Sequence, residues 1–151
     1  MSITDKYTKT IKGKNILLSA SNEFLSLLIV DFLQFYGAKV RLYKEDLNDI
    51  IDLYIIDGKF DTLLEKLKEI RKISATDKST LAIAITDFLN KAERLELLNS
   101  GFSFVLTKPF EPDNLLKNVY ECLLTKKRIK RLVCKRSKPT LNANKIPPLF
   151  G

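Results

Sequence analysis

Five short runs recur along the chain, mostly apolar apart from one that alternates apolar and basic residues (Ala38–Tyr43), and each is followed by a segment with helical periodicity. Asn15–Ser19, Ala38–Tyr43, Leu53–Ile56, Leu81–Thr86 and Phe104–Thr107 are the runs. Glu23–Tyr36, a short weak Leu47–Ile51, Thr62–Lys72, Ala92–Ser100 and Pro112–Leu124 are the helical segments between and after them. Strands apolar on both sides must be covered on both faces, which a half-solvated antiparallel sheet does not offer. Strict strand–helix alternation with such strands predicts a three-layer α/β sandwich around a parallel sheet. The punctuation agrees. Ser21 and Asn22 precede the first of these helices as caps, and Gly37 and Gly101 follow two of them where a left-handed residue ends a helix. Pro112 suits a first helical turn.

With 151 residues there is room for one such domain and little else. The chain has no histidine, which excludes Ser–His–Asp and Cys–His nucleophiles, histidine-ligated metals and a phosphohistidine carrier. Two cysteines, Cys122 and Cys134, are too few for a disulfide framework or a structural zinc site, and read as reduced thiols. No apolar run reaches the roughly 18 residues that a membrane span needs, and the N-terminus lacks the apolar stretch of a signal peptide. A cytoplasmic protein is expected.

The formal net charge of +8 is unevenly placed. Residues 126–151 hold nine basic residues and no acidic one, so residues 1–125 keep all 18 acids and are close to neutral. Three parts are therefore expected: an N-terminal extension over 1–13, a domain over 14–125 and a basic extension or linker over 126–151. Lys126, Lys127, Arg128, Lys130, Arg131, Lys135 and Arg136 form its core. Ile129, Leu132 and Val133 keep helical spacing there, so the last helix is expected to run on toward Pro139. Such a segment suits nucleic acid, an anionic membrane surface or an acidic protein, or links to a further domain. Few aromatic residues are interleaved, which argues against stacking on single strands.

In open parallel sheets, ligands sit at the carboxyl ends of the strands. Those positions carry Ala20 and Ser21, Asp57, Thr86 and Asp87, and Lys108. A carboxylate, a hydroxyl and an ammonium converging there would hold a phosphoryl group on the carboxylate. Asp52-Leu-Tyr-Ile-Ile-Asp57, Ala82-Ile-Ala-Ile-Thr86 and Gly101-Phe-Ser-Phe-Val-Leu-Thr-Lys108-Pro109-Phe110 resemble three motifs of response-regulator receiver domains, in order and spacing. The likeness covers about residues 14–125 and is most specific at Leu-Thr-Lys-Pro-Phe. It implies a doubly wound, flavodoxin-like five-stranded sheet of order 2-1-3-4-5. It also implies Asp57 at the phosphoacceptor position, Thr86 and Lys108 as switch hydroxyl and phosphoryl-contacting lysine, and a cis Lys108–Pro109 peptide.

The departures from that family shape the functional expectation. The acidic pair that helps receivers bind Mg²⁺ is replaced by Ala20 and Ser21, and one aspartate plus a serine is a poor set for a hard dication. The loop after Asp57 is Gly58-Lys59-Phe60-Asp61 and is shorter than usual, and the switch aromatic position holds Val105. Lys59 is a candidate to place an ammonium in the degenerate metal site, against the plainer reading of a solvated loop lysine. Mg²⁺ binding is expected to be weak or absent, with no other metal or cofactor. The leading expectation is a non-enzymatic pseudo-receiver in two-component signalling, acting by contact with a histidine kinase or an output protein. A working phosphoacceptor in a phosphorelay and a nucleic-acid-associated regulator using the tail are the alternatives. Phe24, Leu27, Val30 and Phe35 lie off the core stripe of the first helix, and suit either a partner or homodimer surface or burial under one of the extensions.

Overall fold

The computed structural model describes residues 3–43, 50–73 and 80–137. Its elements in chain order are α1 (Ile3–Ile11), β1 (Asn15–Ser19), α2 (Glu23–Phe35), β2 (Lys39–Leu42), β3 (Leu53–Asp57), α3 (Phe60–Ile73), β4 (Leu81–Thr86), α4 (Lys91–Asn99), β5 (Phe104–Thr107) and α5 (Pro112–Ser137). The strands form one five-stranded sheet in the order β2-β1-β3-β4-β5, with every neighbouring pair parallel. This is the expected α/β architecture and strand order. Most of the short helix expected over Leu47–Ile51 lies outside the described residues.

Alternation along the buried strands sorts the core into two layers. Ile16, Leu18, Leu53, Ile55, Ile83 and Ile85 meet Ile29 and Leu33 of α2 and Leu115, Leu116, Val119 and Leu123 of α5. Leu17, Tyr54, Ile56, Ala82 and Ala84 meet Leu63, Leu67 and Ile70 of α3 and Leu97 of α4 on the opposite face. Each fully buried aliphatic side chain contributes about 1.5–3 kcal/mol of transfer free energy. These two layers are what hold the sheet between its helices.

Local signals set the helix ends. The Asn22 side chain accepts hydrogen bonds from the backbone N–H groups of Phe24 and Leu25 and so starts α2. Asn90 and Glu93 form a reciprocal capping box at α4. Gly37 ends the α2 segment with φ +90°, and a Cβ there would meet Lys12 at 3.0 Å, so both backbone freedom and close approach require glycine.

Two findings add detail to the expected outline. Within the N-terminal extension, residues 3–11 form a helix: Ile3, Tyr7 and Ile11 recur every fourth residue, and Ile11 is wholly buried in the α2–α5 layer. Tyr7 packs edge-on against Tyr120 of α5 at 5.1 Å, with Lys6 over the Tyr120 ring. The last helix runs unbroken to Ser137, as the spacing past Leu124 suggested.

Cys122 is buried beneath α5, and burial together with the neighbouring Glu121 carboxylate pushes its thiol up to about 12. Because the thiolate is the reactive form, a Cys134→Ser variant should react with a disulfide reagent at pH 8 about a thousandfold more slowly when native than when unfolded in urea. Equal rates in the two states would show that Cys122 is accessible.

Candidate functional site

The carboxyl ends of β1, β3, β4 and β5 form one rim, and Asp57 stands at its centre as the last residue of β3. The side chain is fully buried. Its Oδ2 accepts hydrogen bonds from the Ser21 hydroxyl at 2.7 Å and from the Ser21 backbone N–H at 3.1 Å. Lys108 Nζ lies 2.7 Å from Oδ1 in an ion pair, at an angle that leaves Oδ1 without a well-directed hydrogen bond. Thus one oxygen is held by the β1–α2 loop and the other is neutralised from the end of β5. A buried carboxylate without such partners would be strongly disfavoured.

Backbone geometry places these groups. The N–H of Lys108 donates to the Thr86 carbonyl at 2.8 Å, and that of Gly58 donates to the Ile85 carbonyl at 3.0 Å, so the loops after β3 and β5 are fixed to β4. Lys108–Pro109 is a cis peptide. Gly58 follows Asp57 where a Cβ would come within 2.9 Å of the Thr62 hydroxyl, which allows the tight entry into α3. Thr86 is buried at the end of β4, next to the Asp57 strand. Val105 is buried in β5, and its carbonyl accepts from Arg94 of α4 at 3.0 Å.

Asp57, Ser21 and Lys108 are thus brought into direct contact. Lys59 is placed elsewhere: its side chain is exposed, and its carbonyl accepts from the Thr62 hydroxyl and the N–H groups of Thr62 and Leu63 at the start of α3. Lys108, not Lys59, is the ammonium on Asp57. Ser21, named from the sequence as part of a degenerate metal site, serves here as a double donor to Asp57. One contributor escaped sequence reasoning. Lys66 of α3 reaches the Ser19 hydroxyl at 3.4 Å, beside a cleft of about 450 Å³ that Ala20, Ser21 and Tyr43 also line. Only its place three residues after the core position Leu63 hinted at this. At the outer edge of that cleft the Tyr43 hydroxyl donates to Glu69 at 2.6 Å.

The donor set does not fit Mg²⁺. A hard dication takes several oxygen ligands, carboxylates above all. Here Ala20 offers no side-chain donor, and Asp57 is already bound by Ser21 and Lys108. Among the described residues no group of three or more His, Cys, Asp or Glu is placed to hold a metal.

On α2, Phe24, Leu27 and Phe35 are exposed, at 70%, 58% and 76%. The N-terminal segment, packed on α5, does not cover them. Val30 is half-buried against the core and leaves this patch, whereas Leu28 is 52% exposed and joins it. The reason is angular: Ile29 and Leu33 fix the buried side of α2, and Leu28 and Val30 then flank it on opposite sides. Leu25, Leu28 and Phe32 also line an apolar groove of about 380 Å³ with Pro109, Phe110 and Lys108. The basic residues Lys126, Lys127, Arg128, Lys130, Arg131, Lys135 and Arg136 lie on the distal part of α5. No helix among the described residues is long and apolar enough to cross a membrane.

No protein-family model matches the chain, and no curated protein does. Solved structures do. A CheY-like response regulator receiver domain protein from Methanospirillum hungatei is 22% identical, with 78% of this chain covering 98% of that one at a TM-score of 0.62. A signal receiver domain of a two-component histidine kinase from Clostridium thermocellum is 24% identical, with coverages of 73% and 97% and a TM-score of 0.61. The receiver domain of a sensor histidine kinase from Pseudomonas aeruginosa, solved with a magnesium ion coordinated in its active-site cleft, is 22% identical, with coverages of 74% and 98% and a TM-score of 0.60. The chain has the receiver fold.

Proposed function

We propose that this chain is a receiver-type module of two-component signalling that works mainly by protein contact, with Mg²⁺-dependent phosphorylation of Asp57 impaired or absent. The observation that carries this reading is the closed state of the rim. Asp57 occupies the acceptor's place, yet Ser21 and Lys108 hold its two oxygens, and among the described residues no group of three or more His, Cys, Asp or Glu is placed to hold a metal. The Pseudomonas aeruginosa receiver was solved with magnesium in its cleft; here Ala20 and Ser21 replace the acidic pair that the family resemblance leads one to expect. Without a dication to neutralise developing charge, phosphoryl transfer to the carboxylate is slow.

Contact is supported by what lies beside the rim. Lys108 both pairs with Asp57 and borders the apolar groove on α2, so a partner seated there meets the counter-ion of the buried carboxylate directly. A histidine kinase or an output protein is the expected kind of partner.

The test is exposure of the chain to Mg²⁺ and beryllofluoride, read by amide shifts around Asp57, Thr86 and Lys108. Unchanged spectra at millimolar reagent are expected. A saturable adduct on Asp57 would overturn the reading and favour a working phosphoacceptor.

A further inference from the structure

Two features of the chain are unaccounted for by the Asp57 site: the exposed stripe on α2 and the basic continuation of α5. Along α2, Phe24, Leu27, Leu28, Asp31 and Phe35 follow i, i+3, i+4, i+7 and i+11 and share one side of the helix. The helix carries two acids, Glu23 and Asp31, and no basic residue. Between Phe24 and Phe35 the stripe is about 17 Å long at 1.5 Å per residue. On α5, Leu123 is the last buried core residue among those whose side chains are described, and the helix continues to Ser137. Its 126–137 segment is about 18 Å long. It holds seven basic residues, no acid, and Ile129, Leu132 and Val133 at i, i+3 and i+4.

The two helical segments match in length and are opposite in charge by sequence, but they cannot meet within one molecule. In a parallel sheet α2 and α5 both start at the carboxyl edge and descend on the same face, where they share one core layer. A continuous α5 therefore carries residues 126–137 past the far edge of the sheet, beyond α2. We infer that the α2 stripe is the docking site for the 126–137 helix of a second copy of this chain, in a reciprocal exchange that closes a twofold dimer. Each copy lends its basic helix and receives its partner's, so the symmetry is satisfied without open-ended growth. Apolar side chains supply the seam, and Glu23 and Asp31 select the basic segment. This inference does not rest on the reading of Asp57.

A mixing experiment separates it from its competitors. The full chain should sediment as a dimer at 0.05 M salt, with a dissociation constant at least about tenfold weaker at 0.5 M, because salt screens the attraction between acidic and basic segments. Phe24→Ser/Phe35→Ser should be monomeric, and so should Lys127→Glu/Lys130→Glu/Arg131→Glu. Phe24 and Phe35 are exposed on α2, and thermal melts matching the native chain verify that both variants fold. Mixed, the two variants should form a heterodimer, since one keeps an intact helix and the other an intact stripe. A native chain that stays monomeric at 100-µM-scale concentration overturns the inference (about ten times a typical weak dimer constant). So does a dimer that survives charge reversal, which would mean stripe-to-stripe pairing, or one that survives the phenylalanine changes, which would mean helix-to-helix pairing. A monomer whose basic segment instead gives salt-sensitive duplex binding would also overturn it, in favour of nucleic acid.

Discussion

Replacing Ala20 and Ser21 together by aspartate is expected to confer Mg²⁺-dependent phosphorylation on Asp57, at least about tenfold faster than in the native chain with the same small phosphodonor. The native rim holds one carboxylate at this point, buried and engaged by Ser21 on Oδ2 and Lys108 on Oδ1. Two carboxylates at positions 20 and 21 would supply the oxygen ligands that a hard dication needs, directly beside Asp57. Ser21→Asp also removes the hydroxyl that now holds Oδ2, which frees that oxygen to turn toward a metal. Without Mg²⁺ the variant should be less stable than the native chain, because three like charges then crowd one buried rim. Added Mg²⁺ should raise its melting temperature while leaving that of the native chain unchanged. Mass spectrometry of the intact chain reads the phosphoryl group, and Asp57→Asn in the repaired background must abolish it. Phosphorylation of the native chain at a comparable Mg²⁺-dependent rate would overturn the assignment of the defect to positions 20 and 21. Val105 bounds what the repair can restore: its side chain has no ring, so an aromatic rotation at that position cannot follow phosphorylation even where the chemistry succeeds.

The sheet was legible because its central strands β1, β3 and β4 are apolar on both sides, a pattern with few other uses in a chain of this size. The layer on each face followed from parity: Leu53 and Ile55 go one way, Tyr54 and Ile56 the other. Asp57 stands two residues beyond Ile55, at the end of the most central strand, and its position was readable for the same reason. What escaped depended on rotation about a helix axis or on side-chain reach. α2 is apolar nearly all round, so its periodicity could not decide whether Leu28 or Val30 turns to solvent; the packing of Ile29 and Leu33 decides it. The helix over Ile3–Ile11 has a polar composition with only one apolar residue per turn, too thin a stripe to stand out from a solvated extension. Lys59 and Lys66 show the limit of sequence proximity. Lys59 is two residues from Asp57 yet faces solvent, whereas Lys66, nine residues on, returns to the rim after about two turns of α3.

Removal of the Lys108 ammonium is expected to destabilise the domain by about 2–4 kcal/mol at neutral pH, below the 3–5 kcal/mol typical of a fully buried pair because Lys108 is partly solvated. Asp57 is wholly buried, and Lys108, with its side chain 33% exposed, is the cation facing it at 2.7 Å. In Lys108→Met the carboxylate keeps its two hydrogen bonds from Ser21 but loses its counter-charge, in a site with almost no access for water. Methionine preserves the apolar stem that borders the groove, so the measured loss reports charge more than packing. The control is Asp57→Asn with Lys108→Met: a neutral amide accepts from Ser21 and needs no cation, so the double variant should recover at least about 1 kcal/mol relative to additivity. Urea denaturation midpoints at constant slope measure all four corners of this cycle. Lys108→Met within about 0.5 kcal/mol of the native chain would show that the buried carboxylate is neutralised by something other than Lys108. If the cycle holds, the same lysine that stabilises the rim is the one a partner reaches from the apolar groove. Any contact that draws Lys108 outward then costs the domain part of this stabilisation, and by linkage a neutral Asp57 variant should bind such a partner more tightly.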